Sequence, residues 1–249
     1  MVTLRKEESS MNKGLKALTE KRGRTFNINK DPNCLRFHMY KKGRVTIREG
    51  LTILIGPNGM GKSTFIRELK RKLDKLDMPT YVYDNQHQGG NTAMQGFLNR
   101  GNIESLAAMA TSSEGEKILV NMQTIAKEMG SFVRKNINDC MINNKELWIF
   151  VDALDSGFSI DNIIDVKEYL FKTIIKDCQS KEVPVYIICS ANSYEMCNGE
   201  YCFDVYNGNY VTFNNYEEYK GFILAQKDIK DHRYDELEDD NYIEEDDDF

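Results

Sequence analysis

Short, continuous apolar runs alternate along the chain with longer stretches of helical period. LTILI (residues 51–55), TYVYD (80–84), LWIFVD (147–152) and VPVYIIC (183–189) have the length of strands, and the most apolar of them read as strands buried on both faces. Amphipathic helices are predicted over Lys62 to Leu76, from the SSEGEK segment (112–117) through about Asn136, over Asp161 to Cys178 and over Tyr216 to Gln226. LRFHMY, KKGR and VTIRE (35–49) read as a hairpin, and YCFDVY and NYVTF as a second one turning at Asn207-Gly208-Asn209, the strongest short hairpin signal. Asn85 to Gly101 is rich in Gly, Asn and Gln and reads as a long loop of the kind that carries function.

Strands separated by helices in this way predict one α/β domain. It spans residues 34–226, with a mainly parallel central sheet, helices on both faces and antiparallel strands at its margins. Residues 1–33 read as a polar, basic arm with at most one weak helix near Asn12 to Lys21. Residues 227–249 hold too little apolar material to build a core and are expected to be disordered.

Charge sharpens this division. The 249 residues carry a net charge of -6, but residues 226–249 have twelve acidic against three basic side chains, whereas residues 1–48 have thirteen basic against four acidic. The six cysteines form no CxxC pair and no His lies near enough in sequence to suggest a zinc site, so reduced cytosolic thiols are the reading rather than zinc ligands. The charged N-terminus predicts no signal peptide, and the apolar runs are far too short for a membrane span; a cytoplasmic protein is expected.

GPNGMGKST fits GxxxxGK[ST] at Gly56, Gly61, Lys62 and Ser63 and lies between a predicted strand and a predicted helix, the context that gives this pattern its meaning. Gly56, Pro57, Asn58, Gly59, Met60 and Gly61 form a turn whose N–H groups can face an anion at a helix N-terminus, with Thr64 in the first helical turn. Lys62 supplies a charge for the outer phosphates of ATP, and the Ser63 hydroxyl can ligate Mg2+. LWIFVD then delivers Asp152 to the carboxyl end of a buried strand, where ligands bind in open α/β sheets. There it is expected to hold Mg2+ through water. The alternatives are a plain Gly-rich turn and an Asp that merely ends a strand.

This order of segments, with Pro-Asn-Gly inside the loop, resembles the ABC-type ATPase superfamily, including its SMC- and RecF-like members and small phage-encoded relatives. SSEGEK is similar to the family's signature segment, with Ser113, Glu114, Gly115 and Glu116 at its conserved-type positions. Ser113-x-x-Glu116 is equally a helix capping box. Ser156-Gly157-Phe158-Ser159 stands where the family's D-loop follows the Asp strand, and Asn192 stands at its switch-histidine position. The resemblance implies an ABC-type head that binds ATP and Mg2+. It implies a homodimer in which Ser113 and Gly115 of each copy meet the nucleotide of the other. A glutamine that senses the γ-phosphate and Mg2+ is implied between loop and signature; Gln86 is nearer the strand end than Gln88.

The family places a glutamate after the magnesium-binding Asp, where this chain has Ala153, and a switch histidine where it has Asn192. Loss of a positioned base typically lowers a rate by about 10²–10⁴, so slow hydrolysis is expected beside intact binding. Asp155 can stand in as the catalytic group, or can simply be a turn residue. The chain has no long coiled-coil insertion, so a bare head is implied rather than a tethering machine. The basic arm suggests DNA, and the acidic end resembles the partner-recruiting tips of single-stranded-DNA-binding proteins. A role in DNA metabolism or phage–host interaction in a bacterial cytoplasm follows. A non-catalytic ATP-dependent regulator is the second reading. A phosphate-loop kinase is a third, but the Arg-rich lid it needs is not evident.

Overall fold

The computed structural model describes residues 22–28, 40–41, 43–84, 114–155 and 158–243, with the backbone alone over 114–121 and 233–243. The elements are β1 (Gly23–Asn27), β2 (Arg44–Arg48), β3 (Gly50–Ile55), α1 (Lys62–Asp74), β4 (Thr80–Asp84), α2 (Glu114–Asn143) and β5 (Leu147–Asp152). There follow α3 (Ile160–Asp165), a π-helical turn (Val166–Phe171), α4 (Lys172–Ser180), β6 (Val185–Ser190), α5 (Tyr194–Cys197), β7 (Cys202–Asp204), β8 (Asn209–Val211) and α6 (Tyr216–Ile243).

Six strands form one sheet in the order β4-β5-β6-β3-β7-β8. All neighbours are parallel except β7 and β8. The central strands alternate strictly, because successive side chains point to opposite faces. Ile53, Ile55, Ile149, Val151 and Ile187 belong to one core with residues of α2, α3 and α4. Leu54, Trp148, Phe150 and Ile188 belong to the other, with Phe65, Ile66, Leu69 and Leu73 of α1. With apolar side chains required on both faces, these strands carry no polar alternation, and this made them legible as continuous runs. In the second core Trp148 stacks on its cross-strand neighbour Tyr186, ring centroids 4.1 Å apart, and Phe26 meets the indole edge-on at 5.4 Å.

The first hairpin departs from the sequence reading. The partner of β2 is β1, antiparallel, with Phe26 opposite Val45, so part of the segment read as a polar arm is a strand. This hairpin is a separate two-stranded sheet rather than a margin of the main one. It buries Phe26, Val45 and Ile47 against the α1 side. Two of its cations are engaged internally: Arg24 pairs with Glu146 at 2.8 Å, and the Arg48 guanidinium lies over the rings of Tyr201 and Tyr210 at 4.7 and 4.5 Å. LRFHMY up to Met39 lies outside the described residues.

Two helices run longer than expected. α2 continues beyond Asn136 to Asn143. α6 continues beyond Gln226 to Ile243, through residues expected to be disordered. Low apolar content removes the means to build a core. It does not stop a helix already nucleated at Tyr216, because each added residue then gains a hydrogen bond without repeating the nucleation cost. Among the described residues, no helix is long and apolar enough to cross a membrane. Cys140, Cys178, Cys189, Cys197 and Cys202 are buried free thiols; Cys34 lies outside the described residues.

Candidate functional site

The glycine loop links the carboxyl end of β3 to the first turn of α1. Gly56 and Gly61 stand at φ 138° and 92°, in a region that L side chains rarely adopt. A Cβ at Gly56 would also sit 3.3 Å from the Met60 side chain. Met60 is buried and its N–H donates to the Pro57 carbonyl at 3.2 Å, anchoring the loop, while Asn58 and Gly59 are exposed. α1 begins at Lys62 with no side-chain cap and no acidic residue in its first turn, leaving positive N–H dipoles at that end.

Lys62 is 8% exposed. Its ammonium donates to the Gly56 carbonyl at 2.5 Å, to Asn192 Oδ1 at 3.0 Å and to the Pro57 carbonyl at 3.4 Å. Burial pushes it down from 10.5 to about 8, against the opposing pull of Asp155 and then Asp152. Desolvation prevails because three neutral or backbone acceptors replace only part of the hydration of a charge.

Strands β5 and β6 bring the remaining groups to the same end of the sheet. The Ser190 hydroxyl donates to Asp152 Oδ1 and accepts from the Ala153 N–H at 2.8 Å. One side chain of β6 thus fixes both the carboxylate ending β5 and the residue after it. Ala153 has φ 54°, so the backbone turns out of the strand direction at once. Asp155 Oδ2 accepts the N–H groups of Asn192 and Ser193, each at 2.6 Å. Its Oδ1, like Ser193 Oγ, is buried with no hydrogen-bond partner among the described residues. The segment beyond is held from below by Lys167 of the π-helical turn, which donates to the Asn198 and Glu195 carbonyls at 2.6 and 3.2 Å.

Of the residues singled out from sequence, the structure brings together the glycine loop, Lys62, Asp152, Asp155 and Asn192. Ser63 is exposed at the start of α1, and Thr64 Oγ1 accepts from Arg67 at 3.1 Å. Gly115 lies in the first turn of α2. Gln86, Gln88, Ser113 and Ser156-Gly157 lie outside the described residues. Five contributors were not found by sequence reasoning. Ser190, which fixes Asp152, and Ser193 are two. Tyr40 donates from its hydroxyl to the Gly61 carbonyl at 3.3 Å. Tyr219 donates to the Asn192 carbonyl at 2.7 Å. Lys230 reaches the Asn58 carbonyl at 3.5 Å. None has a local spacing signal, because each is delivered by tertiary packing.

The arrangement pairs an anion-seeking loop and buried cation with two carboxylates, chemistry suited to a phosphorylated ligand with a divalent cation. No protein-family model, curated protein or solved structure matches the chain.

Proposed function

We propose that the protein binds ATP with Mg2+ at the glycine loop and hydrolyses it slowly. The observation that supports this most is the Lys62 ammonium, held between loop carbonyls and Asn192 in the field of Asp155 and Asp152. A phosphate chain would replace those carbonyls as the partner of the charge. The fit of the residues to such a ligand rests on the glycine backbone and on the uncapped start of α1. Gly56 to Thr64 would surround the phosphates, and Ser63 and Asp152 would hold the metal, whose bound form supplies charge neutralisation at the phosphates. Ser190 orients Asp152 for that task. Slow turnover is supported by the position after Asp152, where Ala153 carries neither acid nor base and the backbone is left-handed. The resemblance to ABC-type heads extends the proposal to an ATP-dependent homodimer acting in DNA metabolism.

Calorimetry with Mg-ATP, phosphate release and light scattering test the proposal together. Saturable binding abolished by Lys62→Ala, turnover below about 1 per second and a doubling of mass with Mg-ATP are expected. Absence of nucleotide binding by the full chain overturns the reading. Salt-sensitive DNA binding tests the assignment to DNA metabolism separately. A regulator that binds ATP without turning it over is favoured by one contact set: Asp155 Oδ2 is already engaged by two backbone N–H groups. Zero phosphate release with binding retained selects it.

A further inference from the structure

Helix α6 touches the candidate site at two separate places. Near its start, Tyr219 donates to the Asn192 carbonyl at 2.7 Å, and the Asn192 side chain accepts from Lys62. Three turns later, Lys230 reaches the carbonyl of Asn58 at the exposed tip of the glycine loop. Between them Gln226 is buried and donates to Asp204 Oδ2 at 3.1 Å. Asp204 also accepts the N–H groups of Tyr206 and Asn207 and the Asn207 side-chain amide. That carboxylate ties the helix to the turn after β7. Phe213 meets the Tyr219 and Phe222 rings at 5.4 Å each, so the helix is seated on the first core as well.

From these contacts we infer that α6 is a clamp on the glycine loop, with Tyr219 and Lys230 as positioning residues for its phosphate ligand. Lys230 restrains the loop at Asn58, whose neighbour Gly59 is exposed and left-handed. Tyr219 fixes the backbone of Asn192 and thereby the amide oxygen that orients Lys62. A loop held at its tip and, through Lys62, at its helix end loses less freedom when a ligand binds. Lys230 also sets a second cation beside the loop, although it shares its charge with Asp231 at 3.5 Å.

The inference rests on the phosphate-binding reading for its ligand, but the clamp itself has a readout that needs none. Hydrogen exchange at the amides of Asn58 to Gly61 is expected to speed up severalfold in Lys230→Ala and in Tyr219→Phe, with Lys230→Arg restoring it. The β1–β2 amides serve as the unaffected control. Unchanged exchange in both variants overturns the clamp while leaving ATP binding to stand. Mg-ATP affinity is expected to fall about two- to tenfold in each variant, the range for one lost hydrogen bond. If the wild type binds no nucleotide while loop exchange still responds, the functional reading fails and the clamp remains. If exchange responds and affinity does not, the clamp remains and the positioning role is overturned. Tyr219→Phe keeps the ring packing, so loss of fold does not confuse the result.

Discussion

The ammonium of Lys62 and the side-chain carbonyl of Asn192 lie 3.0 Å apart, joining the first turn of α1 to the segment that follows β6. Any ligand that draws Lys62 outward must break this bond. The two residues therefore report on each other, and the pH behaviour of Lys62 makes the relation measurable.

With Lys62 pushed down to about 8, nucleotide affinity is expected to decline as pH rises above 8, because the neutral amine no longer attracts phosphate. The decline approaches but does not exceed about tenfold per pH unit for one proton, and binding above pH 8 should take up protons. Calorimetry at pH 8.5 in buffers of different ionisation enthalpy checks both.

Folding stability follows the same group with a defined sign. The folded value lies below the unfolded 10.5, so the unfolded chain holds more protons between about pH 8 and 10.5, and this contribution to stability rises with pH across that window. It is lost progressively as pH falls from 10.5 to about 8, up to about 3 kcal/mol in all. Lys62→Met is expected to flatten this part of the profile in urea titrations.

Ser190→Ala removes a hydroxyl that serves Asp152 and the Ala153 N–H together. A loss of about 1–3 kcal/mol is expected, because both partners are left short in a half-buried place. A weaker dependence of nucleotide binding on Mg2+ should accompany it. Denaturation and metal titration read the two effects separately.

Asp155→Ala should cost about 1.5–3 kcal/mol through two lost charge-assisted hydrogen bonds, and Asp155→Asn less, since its amide oxygen can still accept from Asn192 and Ser193. Phosphate release then decides the role of the carboxylate. Turnover unchanged in Asp155→Asn assigns it to holding the end of β6, and turnover abolished assigns it to chemistry.

Ala153→Gly should raise stability by about 0.5–1 kcal/mol, since φ 54° suits glycine and part of the gain is offset by the freer unfolded chain. Thermal and urea unfolding of the pair measure it.

Much of this organisation was legible because buried parallel strands must be apolar on both faces and a left-handed loop must use glycine. LTILI and LWIFVD announced their place, and Gly56 to Ser63 announced theirs. GRTFN did not, since β1 is mostly exposed around Phe26 and pairs within a small hairpin whose cations look like a solvated arm. The engagement of Asp155 by Asn192 and Ser193 joins the ends of two strands, a relation no local window contains. The extension of α6 was missed for a different reason: its stability as a helix does not come from the apolar residues by which a folded segment is recognised.

The sheet order also governs how the molecule is assembled during synthesis. Among the described residues β3 pairs with β6 and β7 alone, so Ile53 waits for Cys189 and Cys202 to leave the ribosome. A nascent chain ending near Asp152 already contains the glycine loop and the paired strands β4 and β5, yet lacks β6, which joins β5 to β3. Such distant pairing is slow to form and keeps apolar edges uncovered meanwhile. Competence for an anion would then appear late and abruptly, when the last parallel strands insert, and premature termination anywhere before them would leave a product fit for disposal rather than a partial binder.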